Sequence, residues 1–412
     1  MNVRLGGIAR ILFHIYLPSV LMGFGLGMLL PALPILARSF DVAPELAAQA
    51  VTATLLGRAV SLFPAGYVVD HHGRRAAMVV GPLIVLCGLL ISATTPWFAL
   101  VFVGQFLVGA GDGLWSLGRE IAAVEQIRAE SRGRVIGAFF GISAAGTTLG
   151  PVVGGQLTDR AGYAAVFMLA GVFAVAVCGI GLTYREARVQ IRRSRADVPL
   201  RRLFDSVAPG YATTFQVLMF ATFCAMLRGT AFQSLLPVYV VSHLGYTASE
   251  VGYLFGIAGI TQLVMIVPAG YLSDKVGRKA AVVPAAALAA VAFLALGVST
   301  TPTALAVAVL LQGIASGLAV GSMTSFTYDI VAADARGTIQ AFRRSVGESG
   351  AFTGPIIGGL IAGTAHAGVA FVAFAPLHAA SALLVWLVAR ETLGQDRRPA
   401  TSATPEGAMR AP

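Results

Sequence analysis

Apolar residues run along this chain in long blocks, each about the length that carries an α-helix across a hydrocarbon layer, with polar or Pro/Gly turns between them. The pattern predicts helices near residues 11–37, 46–69, 76–93, 97–122, 134–157 and 163–184, then near 212–240, 249–272, 280–299, 302–331, 337–362 and 367–389. Between the two sets of six lies an arginine-rich stretch from about 185 to 210, where Leu200, Leu203, Phe204 and Val207 fall at helical spacing beside Arg201 and Arg202. It reads equally as an interfacial amphipathic helix and as an ordinary linker. The Pro-, Ala-, Thr- and Arg-rich tail reads as disordered. The expected architecture is an all-α membrane protein: a six-helix bundle over 1–184, a cytoplasmic central loop over 185–210, a second six-helix bundle over 211–390 and a cytoplasmic tail over 391–412.

Composition agrees. The 412 residues are 57% hydrophobic and 12% charged, with mean hydropathy +0.79, more apolar surface than a soluble core can bury. A net charge of +10 would suit a nucleic-acid partner, but the arginines sit between apolar runs rather than on a solvated face, which excludes that class. Instead the cations gather in one set of loops, at Arg74 and Arg75, at Arg128, Arg132 and Arg134, through the central loop, at Lys275, Arg278 and Lys279, and at Arg336. Arg38 and Arg160 occupy the opposite set. The positive-inside rule then places both termini in the cytoplasm and the chain in the cell inner membrane as a multi-pass protein. The first apolar run exceeds a signal-peptide core and is expected to be retained.

Cys87, Cys178 and Cys224 lie in apolar segments without C-x-x-C spacing, so neither a disulfide framework nor a metal site is expected. A G-x-x-x-x-G-K-[ST] loop is missing from the sequence, which disfavours ATP as the energy source, and Gly23, Gly25 and Gly27 follow no strand. Neither a cofactor nor a nucleophile-base grouping is indicated, and an enzyme is not expected.

A single offset recurs along the chain. Pro64-Ala65-Gly66-Tyr67, Asp70, Gly73, Arg74 and Arg75 match Pro268-Ala269-Gly270-Tyr271, Asp274, Gly277, Arg278 and Lys279, each pair 204 positions apart. The same offset relates Gly109 and Gly113 to Gly313 and Gly317, and Arg132-Gly133 to Arg336-Gly337. It also relates Gly146, Gly150, Pro151, Gly154 and Gly155 to Gly350, Gly354, Pro355, Gly358 and Gly359. Such a register indicates duplication of a six-helix unit. The G-x-x-x-D-x-x-G-R-R/K pattern after the second and eighth helices, with G-x-x-x-G-P-x-x-G-G on the fifth and eleventh, resembles the major facilitator superfamily over about residues 11 to 390. The second pattern, which Gly137 extends upstream, is similar to that superfamily's antiporter motif and is more typical of exporters than importers. His71 stands where the family usually has a basic residue, whereas Lys275 keeps it.

The duplicated motif has a physical reading. Gly66 and Gly270 leave room for a neighbouring helix, which the resemblance identifies as the eleventh and the fifth respectively. Asp70 and Asp274 would then face the positive ends of those helices when the cytoplasmic side is closed, with Arg74, Arg75, Arg278 and Lys279 pairing with these carboxylates or with lipid phosphates. This forms a latch for the outward-facing state, against which stands a loop that only fixes topology. The Gly-Pro-Gly-Gly elements should bend the fifth and eleventh helices and pack them tightly, as gating elements or as plain packing.

Charges at membrane depth cost about 2.5–3.5 kcal/mol on insertion scales, so those present are expected to be partnered and to face a cavity. Arg58, Asp112, Arg228, Arg344 and Glu348 fall well inside predicted spans, whereas Arg119, Glu120 and Arg343 lie near ends where snorkelling explains them. Gln105, Asp112 and Arg119 repeat every seven residues and share a face, as do Thr54, Arg58 and Ser61. In the superfamily an arginine often stands at the position of Gln105 and is linked with proton transfer. Here Asp112 beside Arg58 is read as a proton-coupling acid, a structural ion pair or a substrate contact. Arg344 and Glu348 are an i,i+4 pair, with Glu348 the next candidate acid, and Arg228 is a candidate for an anionic substrate group. A substrate cavity bearing Arg58, Gln105, Asp112, Arg228 and Arg344 is expected, and the resemblance implies lining by helices 1, 2, 4, 5, 7, 8, 10 and 11. Three deep arginines lean away from cationic substrates. The expected function is proton-coupled efflux of a small organic compound or drug by alternating access, with a proton symporter importing an organic anion or sugar as the alternative. The partners are that small molecule, protons and the bilayer, and a monomer suffices because one chain carries both halves.

Overall fold

The computed structural model describes residues 12–43, 45–125, 132–184, 207–332 and 335–393. Most of the central loop and the tail beyond residue 393 lie outside the described residues, as does Arg128. Among the described residues, twelve long helical rods follow the predicted order. They are α1 (Leu12–Ser39), α2 and α3 (45–72 and 74–94), α4 (Phe98–Glu125), α5 and α6 (132–161 and 163–183), α7 (Ala212–His243), α8 (Ala248–Val276), α9 (Arg278–Val298), α10 (Pro302–Ala319), α11 (Arg336–Thr364) and α12 (Ala367–Leu387).

Local chemistry sets the breaks. Gly73 (φ 86°) parts α2 from α3, and its repeat partner Gly277 (φ 149°) parts α8 from α9. Both hold a backbone that L side chains avoid, so the duplicated glycine is a structural requirement of the turn. Thr247 and Glu250 form a reciprocal capping box at the start of α8. The predicted helix over 302–331 is divided instead: Gly321 (φ 77°) separates α10 from a short helix, Ser322–Asp329.

Nine stretches among the described residues are long and apolar enough to cross a membrane. The helix α11 is not among them, and its first half carries Arg336, Arg343, Arg344 and Glu348. The rods form the two six-helix bundles of the expected fold. The duplication is visible in the packing, since α4 presses on α2 at Gly109 as α10 presses on α8 at Gly313. At both glycines an added Cβ would meet the carbonyl of the facing helix, so close backbone approach holds each pair together.

Candidate functional site

A cavity of about 430 Å³ lies between the bundles, lined by α1, α2, α4 and α5 on one side and α7, α8 and α10 on the other. The expected eighth wall, α11, contributes no lining residue. On α4 the seven-residue spacing brings Gln105, Asp112 and Arg119 into the same wall. Arg58 on α2 reaches Asp112, with Nη1 3.6 Å from Oδ2. The Arg58 side chain is 45% exposed and that of Asp112 only 16%, so the guanidinium is the more open member of the pair. Gln105 accepts from Thr54 Oγ1 at 3.1 Å and donates to Ser92 Oγ at 3.2 Å, tying α2, α3 and α4 together.

Arg119 departs from the snorkelling expectation. It is buried, its guanidinium lies 4.1 Å from the ring centroid of Trp115, and both line the cavity. The aromatic face one turn away offers a cation a partner that lipid headgroups would otherwise supply. Arg228 is also buried, behind the opposite wall, and its Nη1 donates to the lining Ser316 Oγ at 2.7 Å. Arg344 lies outside the cavity. Its Nε is 3.9 Å from Glu348 Oε1, and α11 turns its Gly347 and Gly350 face against α7, leaving this pair to one side of the pocket.

The two ends of the molecule differ. At the end bearing Gly73 and Gly277, a Cβ on Gly66 or on Gly270 would meet none of the described residues within 4 Å, so among these residues the approaches expected of α11 and α5 are not made in this conformation. Asp70 is exposed. Asp274 is paired within its own bundle, accepting from Arg278 Nη1 at 2.7 Å, while Arg278 Nε donates to Asp329 at 2.8 Å. Lys279 Nζ donates to the carbonyls of Trp386 (2.6 Å) and Ala389 (2.9 Å), and Arg75 to that of Leu182 (2.7 Å). Arg278 thus makes the expected pairing with a motif carboxylate, whereas Lys279 and Arg75 bind carbonyls at the ends of α12 and α6, where the helix dipole favours positive charge. Arg74 is buried.

At the opposite end the bundles are in contact. Gly146, Gly150 and Gly154 pack α5 on α1, and Gly350, Gly354 and Gly358 pack α11 on α7, each within its own bundle. Gly155 and Gly359 face across: a Cβ on Gly155 would strike the Ala248 carbonyl of α8, and one on Gly359 the Gln49 amide of α2. The carbonyl of Pro151 lies against Gly252, and that of Pro355 accepts from Gln49 Nε2 at 3.5 Å. Arg38 donates to the Val241 carbonyl. Asp159, which sequence reasoning missed, accepts the backbone N–H groups of Ala248 (3.1 Å) and Ser249 (2.8 Å) at the start of α8. The available signal was a carboxylate one turn beyond Gly155, with a Thr-x-x-Glu helix start awaiting an anion. Among the described residues the cavity is thus sealed at this end, and the matching glycine approaches are not made at the basic one.

The sequence profile of the Major Facilitator Superfamily matches residues 15–210 and 218–410. Multidrug resistance protein Stp of Mycobacterium tuberculosis is 28% identical over 195 residues, 47% of this chain but only 35% of Stp. The multi-drug resistance efflux pump PmrA of Streptococcus pneumoniae is 23% identical over 355 residues, 84% of this chain and 87% of PmrA. A crystal structure of a D-xylose-proton symporter matches with a TM-score of 0.74 over 93% of this chain and 98% of the symporter. At 17% identity that likeness shows the fold alone.

Proposed function

This chain belongs to the major facilitator superfamily, and from that premise we propose that it exports small organic compounds by exchanging them for protons. The observation that carries the reading is the Arg58–Asp112 pair, 3.6 Å apart in a cavity that the two bundles share. A carboxylate retained at membrane depth is costly, and Asp112 keeps its place beside a half-exposed cation that a ligand can reach. Asp112 is the proton carrier, and substrate and proton occupy it in turn. The match to a relative named as an efflux pump over most of both chains supports export.

Alternating access supplies the direction. The basic end faces the cytoplasm, since the loops there hold nearly all the loop cations. The described conformation takes up substrate from that side. Rocking of the bundles brings Gly66 to α11 and Gly270 to α5, sets Asp70 and Asp274 at the N-termini of those helices, and releases Asp159 from α8. A single chain supplies both walls of the cavity, so the unit is a monomer in the cell inner membrane.

The test is lumenal pH in everted vesicles, acidified beforehand, during addition of cationic, neutral and anionic compounds. Compound-driven alkalinisation that Asp112→Asn abolishes is expected. Silence toward every compound from correctly inserted protein overturns exchange, and Glu348 becomes the next residue to replace.

A further inference from the structure

The charged groups lining the cavity among the described residues are Arg58, Asp112 and Arg119, two cations to one anion, all on the first bundle. The facing wall carries the amides of Gln233, Gln262 and Gln312. Gln312 is only 2% exposed, and its Oε1 accepts no hydrogen bond, an acceptor that a bound molecule can satisfy. From this distribution we propose that the transported compounds are zwitterions, with a cationic group seated on Asp112 and an anionic group on Arg58.

The inference rests on the exchange reading above, because exchange imposes a sign. Proton and substrate must exclude one another at Asp112. A monoanion does the reverse: seated on Arg58, it takes up the cation that balances Asp112, and the charge of the cavity is restored by a proton arriving with it. Anion and proton would then load together, which is cotransport. A monocation competes correctly with the proton, but it enters a wall where Arg58 and Arg119 already outnumber the carboxylate.

A compound bearing both signs meets both conditions. It replaces one ion pair by two and leaves the charge of the cavity unchanged, while its ammonium excludes the proton from Asp112. The existing pair suits such displacement, since its closest approach is 3.6 Å with no hydrogen bond between the side chains and Arg58 is the open partner. Gln312 Oε1 accepts from a further N–H or O–H of the same compound.

Four compounds on one aromatic scaffold test this: one bearing an ammonium, one a carboxylate, one both and one neither. In a Trp97→Phe, Trp386→Phe background, both residues being exposed away from the cavity, Trp115 fluorescence reports binding in detergent. Everted-vesicle pH reports exchange separately. The zwitterion is expected to bind about tenfold or more tighter than either singly charged compound. Arg58→Gln removes that advantage while improving the ammonium compound, and Asp112→Asn improves the carboxylate compound. Arg58→Lys, which keeps the charge, retains the zwitterion preference and separates charge recognition from misfolding. Equal binding and exchange by the ammonium compound overturns the substrate class and leaves proton exchange standing. Zwitterion binding with no proton movement by any compound supports the substrate class and overturns exchange. Absence of quenching by all four compounds overturns the site.

Discussion

Asp159, on the last turn of α5, accepts the backbone N–H of Ser249 at 2.8 Å, so a carboxylate of one bundle caps a helix of the other. Two amide donors and the positive end of α8 converge on it. Hydrogen bonds to a charged group are worth about 1.5–3 kcal/mol, enough to bias the two conformations about tenfold or more. Asp159→Ala should therefore shift the population toward the conformation closed at the basic end. Spin labels at His71→Cys and Gln340→Cys, in a Cys87→Ser background, should report a shorter distance in that variant. An unchanged distribution would show that the cap does not bias the equilibrium.

Gly155→Ala should act on the same equilibrium through sterics. Its Cβ would strike the Ala248 carbonyl, and overpacking of this kind costs about 1–3 kcal/mol. A cysteine replacing the lining Gln233 is expected to react faster with an impermeant maleimide added from outside the cell than it does in the parent chain. Equal rates would mean that the added methyl is accommodated without parting α5 from α8.

Glu391 holds the start of α9, accepting the backbone N–H groups of Arg278 (2.9 Å) and Lys279 (3.0 Å). Burial opposes its ionisation, but these donors, with those of Leu393 and Thr392, hold its carboxyl below the ordinary value of 4.5. The stabilisation is fully present above that value and is lost as pH falls through the lower, folded one. Glu391→Gln is expected to lower Tm at neutral pH by about 2–4 °C and to flatten the decline below about pH 4.5. Parallel melting curves of the two proteins across the acid range would remove the assignment.

His366 stacks on His243 with ring centroids 4.1 Å apart and planes 8° from parallel. Burial, and after it His243, hold His366 below the ordinary histidine value of 6.5. Here too the depressed group favours the fold above its unfolded pKa and withdraws that support as pH falls through its folded one. His366→Phe keeps a ring in the stack and removes the titration, so the fall in Tm between about pH 7 and 5 should shrink. An undiminished fall would place the acid sensitivity elsewhere.

The parts legible in the sequence are those written in local spacing. Apolar blocks of spanning length gave the helices, and the offset of 204 located Gly73 and Gly277, which both take backbones that favour glycine. The cost of charge in hydrocarbon singled out Arg58 and Asp112, which the fold brings to 3.6 Å. Arg119 was misread because distance from a span end does not reveal that its turn is buried against the cavity, where Trp115 is its neighbour. Arg344 was assigned to the cavity because helical spacing does not say which side α11 turns toward α7.

The sequence by itself determined the membrane setting, the twelve rods, their duplication and the acid at membrane depth, because each follows from composition or from contacts within a few turns. Only the tertiary structure decided which end is sealed. That depends on Asp159 meeting α8, on Gly155 meeting Ala248 and on Gly66 meeting none of the described residues, relationships between helices distant in sequence. One sequence must allow both arrangements of its bundles, so the residues specify the contacts available and the packing selects which of them are made.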